Sequence, residues 1–214
     1  MEESFWHQRW REGAIGFHLA EPNPLLVAHF ARLQVPKGSR VFLPLCGKTN
    51  DLAWLLAAGY RVAGAELSRI AIDALFSGLH VTPTIETVGA LTRYSAPDID
   101  FLVGNIFDVS AEVLGPVDAV YDRAALVALP ATMRGDYASH LQAITGMAPQ
   151  LLISFEYDQR LIDGPPFSID GGEVARLYGS TCLLENIDTI DVVGGLKGQA
   201  PAVERVWLLR RRGP

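Results

Sequence analysis

Cysteine is nearly absent from this 214-residue chain: Cys46 and Cys182 are the only two, and they stand far apart. That is neither a disulfide framework nor a zinc-ligand spacing, and it predicts reduced thiols in a cytoplasmic protein. Long apolar runs are missing as well. The longest uncharged stretch, residues 137–155, carries Ser139, His140, Gln142, Thr145, Pro149 and Gln150, too polar to span a membrane. The first residues, Met1-Glu2-Glu3-Ser4-Phe5-Trp6, start acidic and lack the apolar core of a signal peptide. Positive charge is scarce, with 18 Lys and Arg against 24 Asp and Glu for a net −6. The one basic run, Arg210-Arg211-Arg212, closes the chain, so a nucleic-acid binder working by phosphate neutralisation is not expected. His7, His18, His29, His80 and His140 are scattered, without HExxH or an equivalent metal spacing, and no GxSxG elbow occurs. The composition therefore predicts a soluble protein, most simply a monomer, without metal or covalent catalysis.

What the chain does contain is 49% hydrophobic and 20% charged residues, the balance of a folded domain, and its length predicts one domain over residues 1–214. Apolar runs alternate with helical stretches. Val41-Phe42-Leu43-Pro44-Leu45 reads as a buried strand, followed by helical character from Asp51 to Ala58 and a stop at Gly59. Arg61 to Leu67 is the next strand, and Ser68 can cap the helix after it, whose Ile70, Ala71, Ala74, Leu75 and Leu79 share a face. Further strands are predicted at Asp100–Val103, Val117–Tyr121 and Leu151–Phe155, with a helix from about Thr132 to Met147. Cys182–Val193 and Ala202–Arg211 are strand-like runs joined by the Gly-rich segment Gly194–Gly198, so they should pair antiparallel. The expectation is an α/β fold: a mostly parallel seven-stranded sheet, helices on both faces, and an antiparallel C-terminal hairpin.

Ligands of such sheets sit at the carboxyl ends of the strands. The turn after the first strand, Pro44-Leu45-Cys46-Gly47-Lys48-Thr49, resembles the end of a P-loop, but position 42 is Phe where that loop needs Gly. It also has one glycine where a dinucleotide turn has three, which suits a ligand smaller than a pyrophosphate or a Gly47 that merely ends the strand. Glu66 closes the second strand, where a carboxylate can accept hydrogen bonds from both ribose hydroxyls; the plain alternative is a solvated strand-end acid. Asn105-Ile106 after the third strand offers one hydrogen bond and one apolar wall for a flat base. Arg123 after the fourth is a planar, permanently charged donor for an anionic group, unless it pairs with Asp122 or Glu66. Trp6 and Trp10 share a helix face near Phe5 and Phe17, as a hydrophobic cap on the sheet or an aromatic lid over a cationic or flat ligand. Cys46 has neither a His base nor a cationic neighbour except Lys48, and reads as packing.

Together the segments Phe5-Trp6, Arg9-Trp10, Gly16-Phe17-His18, Val41 to Lys48, Gly64-Ala65-Glu66-Leu67-Ser68, Asn105 to Asp108, Asp122 to Ala128 and Gly164-Pro165-Pro166-Phe167 run in the order of one family. The chain resembles the thiopurine S-methyltransferases, particularly their bacterial branch, within the Rossmann-like class I methyltransferases. The resemblance implies S-adenosylmethionine as methyl donor, leaving S-adenosylhomocysteine. It places Trp10, Leu45, Glu66, Asn105, Ile106 and Arg123 on that cofactor, and Phe17 and Arg123 on the substrate, an aromatic or heterocyclic thiol such as a thiopurine. Residues 1–35 would form an aromatic helical lid over a core of residues 36–214. No Arg stands between Asp191 and Gln199, where some members carry a second substrate-side arginine.

Methyl transfer from a sulfonium to a soft nucleophile gains more from desolvation and alignment than from a base, so no residue is expected to be an indispensable acid or base. Halide, sulfide, selenium or tellurium species are the alternative acceptors. A nicotinamide enzyme is disfavoured by the missing glycines, and a non-catalytic binding protein would hold the cofactor without turnover.

Overall fold

The computed structural model describes residues 3–213. Its centre is one nine-stranded sheet: β1 Arg40–Pro44, β2 Arg61–Glu66, β3 Thr84–Val88, β4 Leu91–Ala96, β5 Ile99–Val103, β6 Ala119–Arg123, β7 Gln150–Tyr157, β8 Cys182–Asp191 and β9 Ala202–Arg211. The strand order is β3-β4-β5-β2-β1-β6-β7-β9-β8. Strands β5, β2, β1, β6 and β7 run parallel, and β7–β9 and β9–β8 are antiparallel, as the Gly-rich connection predicts. The helices are α1 Glu3–Arg11, α2 Pro24–His29, α3 Asp51–Ala57, α4 Arg69–Leu79, α5 Ala111–Leu114, α6 Ala131–Ile144 and α7 Gly171–Tyr178. None of them is long and apolar enough to cross a membrane.

Both faces of the parallel strands are covered, which is why those strands read as unbroken apolar runs. Along β1, Val41 and Leu43 face α2, α3 and α4, where Leu26, Leu52, Leu55, Ile72 and Phe76 pack. Phe42 faces the opposite layer, with Tyr137 and Leu141 of α6 and Val174 and Tyr178 of α7. At Gly64 of β2 a Cβ would stand 2.3 Å from Phe101 of the neighbouring strand, so only glycine lets that ring lie across the sheet. Gly59 follows α3 with φ +85°, the left-handed conformation that ends a helix.

Three expectations are corrected. The sheet has nine strands, not seven, because the β3–β4 hairpin turns at Gly89-Ala90 and adds to the β5 edge. Strand β3 is almost wholly exposed, so Thr84-Ile85-Glu86-Thr87-Val88 carries no apolar run to reveal it. The fourth predicted strand lies two residues later, because the Asp118 side chain accepts from the Arg40 N–H at 2.7 Å and stays outside the ladder. That shift makes Arg123 the last residue of β6. Ser68 occupies the cap position of α4, but its hydroxyl makes no capping bond.

Candidate functional site

The carboxyl edge of the sheet opens on a cavity of about 620 Å³, within the usual size of small-molecule sites. Six strands meet it. In spatial order they bring Asn105 beyond β5, Glu66 of β2, Leu45 to Gly47 beyond β1, Arg123 of β6, Phe155 of β7 and Glu204 of β9. Trp10, Leu45, Glu66, Asn105, Ile106, Arg123 and Phe17, the seven site residues expected from the sequence, all line this one cavity.

Glu66 is buried, yet both its oxygens are engaged: Oε2 accepts from the Gly47 N–H and Oε1 from the Ser68 N–H, each at 2.8 Å. Burial raises its carboxyl pKa, while the N–H groups of Ser68, Gly47 and Leu67 oppose that shift. A carboxylate offers about four acceptor sites and these N–H groups do not fill them, so capacity remains for a diol. The turn it braces is conformationally special. Leu45 has φ +46° and Gly47 φ +58°, and a Cβ on Gly47 would meet Trp10 Cζ2 at 3.0 Å. Trp10 therefore lies on the glycine itself.

The N-terminal segment is fastened over this edge. Trp6 and Trp10 of α1 both pack edge-on against Phe17, with centroids 6.0 and 5.7 Å away. Arg123 Nη1 donates to the Phe17 carbonyl at 2.9 Å, and Asn105 Nδ2 donates to Glu3 Oε1 at 2.7 Å. Arg123 forms no ion pair with Asp122 or Glu66; Asp122 points to the other face of the sheet, where it accepts from the Tyr137 hydroxyl at 2.7 Å and the Leu126 N–H at 3.1 Å. Asn105 Oδ1 caps its own turn through the Phe107 N–H at 2.9 Å, and Ile106 is buried beside it. Cys46 packs with the α2–α4 layer, and burial together with the Glu66 charge pushes its thiol well up, away from thiolate chemistry.

Sequence reasoning missed several lining groups. Asp51 is buried at the start of α3, where Oδ1 accepts from the Asn23 N–H at 2.6 Å and Oδ2 from the Tyr121 hydroxyl at 3.1 Å. It thereby fixes the start of α2, whose cap is Asn23. His18 is held towards its neutral form by burial, then by Lys48 and Arg123, with Asp51 opposing. An acid in the first turn of a helix is so ordinary that Asp51 gave no signal. Glu204, a single acid in the apolar run of β9, is the kind of irregularity that can be noticed. Among the described residues, no group of three His, Cys, Asp or Glu is placed to hold a metal ion.

Chemically, the edge offers a diol acceptor at Glu66, flat apolar walls at Ile106 and Phe107, an indole face at Trp10 and a fixed cation at Arg123. That donor set fits a nucleoside bearing a sulfonium: the free lone pairs of Glu66 suit a ribose, and an aromatic face suits the cation. The buried Ser68 hydroxyl next to Glu66 in sequence has no hydrogen-bond partner among the described residues.

Residues 1–212 match the family model described as Thiopurine S-methyltransferase (TPMT). The thiopurine S-methyltransferase of Xanthobacter autotrophicus is 59% identical over 212 residues, covering 99% of this chain and 100% of that protein. That of Gluconobacter oxydans is 46% identical over 203 residues, covering 95% and 92%. Among solved structures, this chain is similar to the Burkholderia thailandensis 1,6-didemethyltoxoflavin-N1-methyltransferase with bound 1,6-didemethyltoxoflavin and S-adenosylhomocysteine. The TM-score is 0.67 at 16% identity, over 99% of this chain and 87% of that one. A TehB-like SAM-dependent methyltransferase from Corynebacterium glutamicum gives 0.57 at 15% identity, covering 98% of each chain. At such identities these structures show a shared fold.

Proposed function

This chain belongs to the thiopurine S-methyltransferase family, whose chemistry is S-adenosylmethionine-dependent methylation, and we propose that it methylates the sulfur of aromatic and heterocyclic thiols such as thiopurines. The observation that carries the reading is Glu66, a buried carboxylate braced by two backbone N–H groups with acceptor capacity left towards the cavity. In this reading Trp10, Leu45, Glu66, Asn105, Ile106 and Arg123 hold the donor, while Phe17 and Arg123 meet the acceptor. The chain works as one unit, with residues 1–35 as the lid over residues 36–214; Met1, Glu2 and Pro214 lie outside the described residues.

When bound, S-adenosylmethionine supplies an electrophilic methyl group on a sulfonium. The residues of this chain do the rest by placement. Trp6, Trp10 and Phe17 keep water from the edge, and the Arg123 bond to the Phe17 carbonyl fixes the segment that carries the lid. The planar Arg123 guanidinium can steady a thiolate in line with the donor. An acceptor thiol that ionises near neutral pH needs no protein base, so none of these residues is assigned as an indispensable acid or base.

The test is a transfer assay with methyl-labelled S-adenosylmethionine against a panel of aromatic thiols including 6-mercaptopurine. Label is expected in the thioether and is expected to be lost in Glu66→Ala. Tight S-adenosylhomocysteine binding with transfer only to halide, sulfide or selenium and tellurium species would replace the thiol reading.

A further inference from the structure

Four acidic side chains line the cavity: Glu3, Asp51, Glu66 and Glu204. The first three accept hydrogen bonds from Asn105, from Asn23 and Tyr121, and from Gly47 and Ser68. The Glu204 carboxylate alone has no hydrogen bond or ion pair among the described residues. Lys197 Nζ donates to the Pro165 carbonyl at 2.8 Å, Arg123 Nη1 to that of Phe17, and the adjacent Arg205 pairs with Glu156. Burial raises the Glu204 carboxyl pKa, and the Arg123 charge acts against that. A half-buried carboxylate without a partner is costly, and a ligand that donates a hydrogen bond to it recovers that cost.

Position decides which ligand. Glu204 stands opposite Phe155 in the β7–β9 ladder, and β9 is four strands from the Glu66 strand. At about 4.8 Å per strand that is roughly 19 Å, too far for a diol held at Glu66. Glu204 therefore belongs to the other end of the cavity, beyond Arg123.

Resting on the thiol-methylation reading above, we propose that Glu204 is a specificity-determining residue that accepts a hydrogen bond from a ring N–H of the methyl acceptor. The site then selects heterocyclic thiols whose thiolate still carries a ring N–H, such as the imidazole N–H of a thiopurine, over carbocyclic thiols, and repels thiols that carry a carboxylate.

The experiment compares kcat/KM for 6-mercaptopurine, thiophenol and 2-mercaptobenzoate in the wild-type chain, Glu204→Met and Glu204→Gln. Met removes the acceptor, whereas Gln keeps a neutral one. The 6-mercaptopurine to thiophenol ratio is expected to fall about 10- to 100-fold in Glu204→Met, the worth of a charge-assisted hydrogen bond, and by an intermediate factor in Glu204→Gln. The 2-mercaptobenzoate to thiophenol ratio is expected to rise in both. Ratios within twofold of wild type in both variants would overturn the assignment, as would loss of S-adenosylhomocysteine binding in both, since Glu204 would then be bracing the fold. A wild-type chain that methylates none of the three thiols would instead bring down the thiol reading itself, before any variant is made.

Discussion

Replacing Glu66 by Gln exchanges one carboxylate oxygen for an NH2 group at nearly constant volume. In the wild-type protein each oxygen accepts one backbone N–H at 2.8 Å. The amide can accept only one of these, and the other N–H then faces a donor. Leaving a buried N–H unsatisfied costs about 1–3 kcal/mol. The substitution also removes a charge whose burial is unfavourable, as the raised pKa of Glu66 shows. These effects oppose each other, so Tm should move by no more than about 5 °C, at the ~2–4 °C per kcal/mol usual for this size. Ligand binding has no such compensation. One of the two oxygens offered to the ribose becomes a donor and the other loses its charge, which removes about 1.5–3 kcal/mol, or about 10- to 150-fold in Kd. Calorimetric titration with S-adenosylhomocysteine alongside thermal unfolding separates the two effects. A variant that binds within twofold of wild type would refute the reasoning, leaving Glu66 as a brace for the Gly47 turn and nothing more.

Three further substitutions probe the same edge and the layer beneath it. Gly47→Ala forces a Cβ at φ +58° against Trp10, costing about 1–2 kcal/mol in backbone conformation; a shifted tryptophan emission and at least fivefold weaker S-adenosylhomocysteine binding are expected, and an unaltered spectrum would count against the close contact. Arg123→Lys keeps the charge but loses the planar donor that holds the Phe17 carbonyl. Its kcat/KM on an aromatic thiol should fall about tenfold, by the loss of a charge-assisted bond, and wild-type turnover would show that the charge alone matters. Asp122 is buried with its carboxyl raised to about 6 from 3.8. A raised acid pKa means that the native state takes up a proton before the unfolded chain does, so this group makes the fold more stable as pH falls from 7.5 to 5, by about 1.4 kcal/mol. Asp122→Asn lacks that contribution. Its stability relative to wild type, from urea unfolding, should be poorer at pH 5 than at pH 7.5 by that amount, and a pH-independent difference would show that Asp122 does not titrate there.

Much of the parallel core was legible because burial on both faces leaves a direct trace. Val41 to Leu45, Arg61 to Leu67 and Leu151 to Phe155 are apolar runs bounded by polar turns, and each is a central strand. The β3–β4 hairpin was illegible for the converse reason: its outer strand is covered on neither face and keeps Thr84, Glu86 and Thr87. Helix α7 and the short α2 were likewise unread, the first packing through Val174 and Tyr178 and the second through Leu25 and Leu26. The site divides in the same way. Glu66 and Arg123 follow from their places at strand ends, whereas Asp51, Tyr121 and Glu204 come from different elements.

The sequence by itself determined the alternation of strands and helices, the single-glycine turn at Pro44 to Thr49, and the acid that closes the second strand. These are local properties, written in adjacent residues as hydrophobic period and turn chemistry. Only the tertiary structure decided that Arg123 holds the Phe17 carbonyl instead of pairing with Asp122, that Trp10 rests on Gly47, and that Glu204 faces the same cavity as Glu66 from four strands away. Each depends on strand order and on the face a side chain takes, and a one-residue slip in register would have sent Arg123 to the other side of the sheet.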